Sequence, residues 1–192
     1  MDTFAQRRPG IASRIRVFEV DQPGPQAWKR NRLIELGFGV PDWLRLVPVD
    51  FEASDFWSEQ LAAAGFDSRL PAVVVSTGVT MYLTKGATAA TLRQLAGLAA
   101  GSTLAMTFLL PTELLNDADR PPGFRASESG ARAAGTPFVS FYTPPEMLTL
   151  AREAGFDGAK HVAGTSFAER YFADRSDGLR PSSGEDLLVA TT

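Results

Sequence analysis

Two aspartates that close short apolar runs are the residues best suited to chemistry in this sequence. Arg16-Val17-Phe18-Glu19-Val20-Asp21-Gln22-Pro23 reads as a strand ending on a carboxylate. Val17, Phe18 and Val20 suit a buried or half-buried pleat, and Pro23 forbids further ladder pairing just past Asp21. Trp43-Leu44-Arg45-Leu46-Val47-Pro48-Val49 reads as a second strand and ends on Asp50-Phe51. Ligands of open α/β sheets bind beyond the carboxyl ends of strands, and an acidic residue there is the usual acceptor for a ribose diol. Asp21 can accept both ribose hydroxyls. Asp50 can accept from the exocyclic amine of adenine, while the main-chain N–H of Phe51 donates to a ring nitrogen. Phe51, or the pair Phe56-Trp57, can cover the base. Each charge-assisted hydrogen bond of this kind is worth roughly 1.5–3 kcal/mol. The pattern outlines an adenosine site and leaves S-adenosylmethionine, NAD and ATP open. A simpler role for Asp21 is to cap the helix that follows it.

The elements that must hold these residues alternate in type. Gln22-Pro23-Gly24-Pro25 is a turn cluster, and Gln26 to Leu36 reads as a helix with Leu33 and Leu36 on its buried side and Gly37 as a left-handed cap. In such a βαβ unit the two strand ends lie at one edge of the sheet. A short helix follows, with Trp57, Leu61 and Ala64 on one face and Asp55 and Glu59 near its N-terminus. Ala72-Val73-Val74-Val75 is an unbroken apolar run of the kind buried on both faces. Thr84 can cap a helix running to about Ala100, with Leu92 and Leu95 toward the core. Ser102 to Leu110 is a further strand, stopped by Pro111. Residues 112–142 are rich in Pro, Gly, Ser, Ala and Arg with weak periodicity, and are expected to form a lid or loop insertion. Thr143-Pro144-Pro145-Glu146 carries a capping box and proline in the first turn of the next helix. Lys160-His161-Val162 and Leu187-Leu188-Val189-Ala190 are the last strands, joined so that they can pair antiparallel. The expectation is one α/β domain over residues 1–192 with a mostly parallel sheet.

Composition narrows the function classes. The 192 residues carry 19 Lys and Arg against 22 Asp and Glu, a net charge of −3 that gives no reason to propose nucleic acid or an anionic membrane as partner. There is no cysteine, which excludes disulfides, thiol catalysis and zinc-thiolate sites. The single histidine argues against a His-rich metal centre, and no metal is expected. No apolar run approaches the ~20 residues that span a bilayer, and residues 1–10 lack a secretory h-region, so the expected compartment is the cytoplasm.

Val17-Phe18-Glu19-Val20-Asp21-Gln22-Pro23 with Gln26-Ala27-Trp28-Lys29-Arg30 resembles a family of S-adenosylmethionine-dependent methyltransferases common in actinobacteria and related to leucine carboxyl methyltransferases. Val47-Pro48-Val49-Asp50-Phe51, Gly78-Val79-Thr80-Met81-Tyr82-Leu83 and the stretch from Arg170-Tyr171-Phe172 through Ala190-Thr191 are similar to it as well. The resemblance implies a class I methyltransferase fold whose sheet ends in an antiparallel pair. It also implies S-adenosyl-L-methionine as cofactor, with contacts from Asp21 and from Asp50-Phe51. Thr77 is added to the cofactor-binding candidates, at a position where relatives often carry an acidic residue. The family opens with helices, a first strand and a turn of the type Gly-x-Gly-x-Asp-Thr, of which only Asp2-Thr3 is matched here. The expectation is therefore a sheet without its first strand and glycine-rich turn, holding the adenosine half of the cofactor but not the methionine half.

The activity expected is O-methyl transfer to a small-molecule or carboxylate acceptor, the alternative being a non-catalytic nucleotide-fold binding domain or an inactive fragment. No catalytic residue is assigned, because an activated sulfonium asks chiefly for alignment and exclusion of water. An NAD-dependent oxidoreductase is disfavoured by the lack of Gly-x-Gly-x-x-Gly after a strand and of Tyr-x-x-x-Lys. His161 is expected to be structural or exposed, Trp28 to be buried beside a solvated helix face, Tyr82 to be either core or site-facing, and Arg120, Arg125 and Arg132 to be solvated. Unpaired strand edges are expected to drive self-association.

Overall fold

The computed structural model describes residues 3–53, 57–119 and 123–192. The chain divides into two compact units, Met1–Ser68 and Arg69–Thr192.

In the first unit two single-turn helices, α1 (Phe4–Arg7) and α2 (Pro9–Ala12), precede β1 (Val17–Asp21), α3 (Pro23–Glu35), β2 (Leu44–Pro48) and α4 (Trp57–Ala63). β1 and β2 are parallel, in register from Val17 opposite Leu44 to Asp21 opposite Pro48. Parallel neighbours need a crossover, and α3 supplies it. The sequence reading placed the start of α3 three residues late, because Pro23-Gly24-Pro25 looks like a turn. It is the first helical turn instead, with Pro23 at the position where a missing N–H costs nothing. Gly37 ends the helix at φ 77°, as expected. One apolar cluster is Ala5, Leu33 and Leu44, with Val17, Val40, Trp43 and Leu46 packed on it; Ala12, Val47, Val49, Trp57 and Leu61 are buried as well.

The buried face of α3 is largely polar, which corrects the expectation. Gln26, Lys29 and Leu33 are buried, whereas Trp28 is 58% exposed and Ile34 and Leu36 are also exposed. The cause lies on β1. Gln26 donates its side-chain amide to the Glu19 carbonyl at 2.7 Å, and the Lys29 ammonium pairs with the Glu19 carboxylate. An inward-pointing Glu on the strand needs these partners more than α3 needs an apolar stripe, since a buried unpaired charge is costly.

The second unit is built on a four-stranded sheet ordered β3-β4-β6-β5, from β3 (Val73–Ser76), β4 (Thr103–Leu109), β5 (Gly158–Val162) and β6 (Glu185–Thr191). β3 and β4 are parallel, and β6 runs antiparallel to both β4 and β5, the expected closing pair. Leu104, Met106 and Phe108 of β4 and Leu188 and Ala190 of β6 are at most 2% exposed, so one face of this sheet is its core. Helix α5 (Lys85–Ala96), α6 (Gly123–Ala133) and α7 (Pro144–Ala154) complete the unit, with α7 against β5 and β6 and α5 against α7. Thr84 caps α5 through the Ala87 N–H, and Thr143 and Glu146 form the capping box of α7. Gly155 closes α7 at φ 101°.

β3 departs from the reading of its sequence. Its valines suggested burial on both faces, yet Val73 is 82% and Val75 66% exposed. Among the described residues β3 pairs with β4 alone, so it is an edge strand with one face open. The stretch 112–142 contains α6 and is tied at both ends rather than being one long loop. On one side Asp119 accepts from the Arg180 guanidinium at 2.6 and 3.2 Å and from the Ser183 N–H and hydroxyl at 2.9 and 2.7 Å. On the other, Val139 N–H donates to the Met81 carbonyl at 2.7 Å, Ser140 Oγ to the Leu83 carbonyl at 2.6 Å and Tyr142 N–H to the Leu109 carbonyl at 2.9 Å.

Candidate functional site

At the carboxyl edge of the β1–β2 pair the backbone brings the two aspartates of the sequence reading together. Asp21 ends β1 opposite Pro48, its carbonyl accepts from the Val49 N–H at 2.8 Å, and Asp50 follows at once. Both side chains are exposed. Asp21 Oδ1 accepts from its neighbour Gln22 N–H at 2.8 Å. That bond is not a helix cap: the residue before the first turn of α3 is Gln22, and no side chain caps this helix. The prolines at 23 and 25 have no N–H to offer, so α3 makes little demand on a capping carboxylate. The second oxygen of Asp21, Oδ2, has no hydrogen-bond partner among the described residues.

Asp50 opens a turn, with Oδ1 accepting from Glu52 N–H at 3.0 Å. Phe51 is half-buried and sits edge-to-face on the buried Trp57, with ring centroids 5.9 Å apart. An aromatic pair of that geometry holds the Phe51 ring still. Phe56, the other residue expected to cover a base, lies outside the described residues. The set is therefore two exposed carboxylate acceptors and a fixed aromatic ring at one strand-end edge. Its chemistry fits an adenosyl group: acceptors for two ribose hydroxyls and an exocyclic amine, and an apolar surface for the base.

Thr77 lies in the second unit, exposed, directly after β3. Its turn is fixed by a residue that sequence reasoning passed over. Thr107 of β4 is only 8% exposed, its hydroxyl accepts from Gly78 N–H at 2.9 Å, and its carbonyl accepts from the Thr80 hydroxyl at 2.9 Å. Gly78 is at φ 68°, so the turn also needs a residue without a Cβ. The available signal was a hydroxyl set between Met106 and Phe108 inside an apolar stretch. Beyond the end of β4 lies a cleft of about 250 Å³ lined by Pro111, Thr112, Glu113, Glu128 and Phe141.

The remaining candidates resolve simply. His161 Nε2 meets Asp186 Oδ2 at 2.7 Å, and Asp186 Oδ1 accepts from Gly164 N–H at 2.8 Å. Asp186 is buried, so this is a tie between β5, β6 and the turn after β5, the structural role expected of His161. Tyr82 is exposed and stacks edge-to-face on Phe138 rather than joining the core. Arg132 is solvated, with Glu128 at 3.8 Å; Arg120 and the Arg125 side chain lie outside the described residues. Among the described residues no group of three His, Cys, Asp or Glu could hold a metal ion, and no helix is long and apolar enough to cross a membrane.

The sheet order, its closing antiparallel pair and the acidic strand-end edge define a chain of class I methyltransferase fold. Solved structures share that fold. A DUF574 family protein from Streptomyces avermitilis superposes over 92% of this chain and 65% of its own with a TM-score of 0.60 at 18% identity. The structure titled "PigF with SAH" does so over 98% of this chain and 46% of its own with a TM-score of 0.57, also at 18% identity. The family model described as leucine carboxyl methyltransferase matches residues 1–96, and the chain belongs to that family. Among its relatives is the Bacillus subtilis protein named "Putative S-adenosyl-L-methionine-dependent methyltransferase YktD", 27% identical over 93% of this chain and 58% of that protein. A protein of Mycobacterium marinum named in the same way is 32% identical over 85% of this chain and 54% of its own length. The chain thus spans less than two thirds of the curated relatives it matches.

Proposed function

We propose that this chain binds S-adenosyl-L-methionine through its adenosyl half and serves O-methyl transfer to a small-molecule or carboxylate acceptor. One observation carries the reading: Asp21 and Asp50 stand exposed at one parallel strand-end edge, beside a ring that Trp57 holds in place. In this reading Asp21 receives the ribose hydroxyls, Asp50 the adenine amine, and Phe51 covers the base. Thr77, on the turn that Thr107 fixes, is a cofactor-contact candidate of the second unit taken by itself. The cofactor, when bound, supplies a methyl group already activated by a sulfonium. The protein then has to orient the acceptor and exclude water. The segment 112–142 is assigned to the acceptor side, because residues of its two ends line the cleft past β4. The class I fold and the family membership support the choice of this cofactor over NAD and ATP.

Calorimetric titration with S-adenosylhomocysteine, NADH and ATP tests the cofactor, and a methyl-transfer assay tests turnover. S-adenosylhomocysteine is expected to bind, and Asp21→Ala to weaken it at least about tenfold. A loss of ~1.4 kcal/mol suffices for that, and a charge-assisted hydrogen bond is worth more. Binding of NADH alone would overturn the assignment. Binding of S-adenosylhomocysteine without transfer to any acceptor would favour the non-catalytic alternative.

A further inference from the structure

The buried stripe of α3 changes character along its length. Gln26, Lys29 and Leu33, spaced i, i+3, i+7, are the residues it buries. Its apolar end, Leu33, packs with Ala5 and Leu44. Its polar end lies at β1: the Gln26 amide donates to the Glu19 carbonyl at 2.7 Å, and the Lys29 ammonium pairs with the Glu19 carboxylate. Stability does not ask for this arrangement. Exchanging a buried ion pair for apolar side chains of similar volume is often neutral or stabilising. Gln26 Oε1 is itself buried with no partner among the described residues, which costs free energy. A break with the local rule that gains nothing in packing is expected where function is served.

Polar contacts differ from apolar ones in direction. Apolar burial is non-directional, whereas hydrogen bonds and ion pairs are satisfied at one distance and angle. A polar contact within an apolar seam therefore sets register, as a buried Asn does in a coiled coil. Register matters at this place. Only Gln22 separates Asp21, the last residue of β1, from Pro23, the first of α3, so a shift of the helix along the strand passes straight into the strand end. Glu19 and Asp21, two residues apart, leave β1 on one face. We propose that Glu19, Gln26 and Lys29 are positioning residues for Asp21. They fix α3 at one height on β1 and so hold the Asp21 carboxylate where it meets the ribose hydroxyls, an inference that rests on the ribose-binding reading of Asp21 given above.

Lys29→Met combined with Glu19→Leu in the full chain tests this, because it removes the directional contact and keeps the volume. The double variant is expected to unfold in urea close to wild type. Its Val49 amide, which donates to the Asp21 carbonyl, is nevertheless expected to exchange faster. In calorimetry S-adenosylhomocysteine is expected to bind it about fivefold more weakly than wild type. A role confined to stability would move neither readout. Asp21→Ala weakens the ligand about tenfold in the wild-type background and less than about twofold in the double variant, since the pair acts through Asp21. Unchanged Val49 exchange in a stable double variant would overturn the proposal whether or not the ligand binds. So would wild-type affinity in that variant, or losses from the pair and from Asp21→Ala that simply multiply. Equal affinity of wild type and Asp21→Ala is a separate failure: it overturns the ribose role of Asp21, and Val49 exchange alone then decides the positioning. Should the double variant not fold, Gln26→Met keeps the ion pair, removes the amide donor and is read in the same way, with an expected weakening of about threefold.

Discussion

Lys29 shows how one buried charge sets the face of a helix. Its side chain is 7% exposed and that of its partner Glu19 11%, so the pair is shielded from solvent. Replacing a buried pair by apolar residues of similar size is often neutral, whereas removing one partner strands the other and typically costs about 3–5 kcal/mol. Lys29→Ala is therefore expected to lower the unfolding free energy by about that amount in urea, and Lys29→Met combined with Glu19→Leu to recover most of it. A double variant as unstable as the single one would show that packing, not charge, is what Lys29 contributes. The same logic separates Glu19 from Asp21 two residues on. The first is shielded and needs partners from α3, while the second lies exposed at the strand end with one oxygen unpartnered among the described residues.

At the scale of elements, the stretch after β4 is held by a carboxylate rather than by apolar contacts. Asp119 is kept well below the usual carboxylate range, first by the Arg180 guanidinium, then by the Ser183 hydroxyl and the Ser183 N–H, against the opposing effect of burial. A carboxylate with a depressed folded pKa adds stability that is complete above its unfolded value near ~4 and is lost as pH falls toward the folded value. Asp119→Asn is expected to cost about 1–2 kcal/mol at neutral pH, discounted because Arg180 is half exposed. The gap between variant and wild type should narrow progressively as pH falls below about 4. Denaturant midpoints of both proteins from pH 7 down to 3 measure it, and a gap that stays constant would show that the carboxylate charge is not involved. By contrast, α5 and α7 are stopped and started by local devices, the Thr84 cap, the Thr143–Glu146 box and Gly155, which act within a turn of the helix they serve.

For the molecule as a whole, stability is concentrated unevenly. The least exposed large side chains of the sheet, Leu104, Met106, Phe108 and Leu188, belong to β4 and β6, and β4 is hydrogen-bonded on both edges. The first unit has a cluster of Ala5, Leu33 and Leu44, with Ala12, Val47, Val49, Trp57 and Leu61 buried besides, and its two strands are paired only with each other among the described residues. Local opening follows such differences in buried contact. In native-state hydrogen exchange the amides of β4 and β6 are expected to be slowest and those of β1 and β2 markedly faster. The reverse order would mean that the β1–β2 pair draws stability from contacts beyond its own cluster.

What the sequence by itself determined is what acts over a few residues. The strands leading to Asp21 and Asp50, the parallel pairing forced by the intervening helix, the capping box at Thr143, the left-handed glycine at 37, and the antiparallel close of the sheet were all legible from residue type and spacing. These rest on backbone sterics and local hydrogen bonds, which a short window contains. Tertiary structure decided where a side chain's surroundings come from distant chain. Lys29 is buried and Trp28 exposed because Glu19 lies under α3, a demand that the periodicity of the helix does not reveal. Val73 and Val75 are exposed because burial of an apolar strand depends on which neighbours are present, not on its own composition. Thr107 fixes the Thr77-Gly78 turn from thirty residues away, and only the β3–β4 pairing brings the two together.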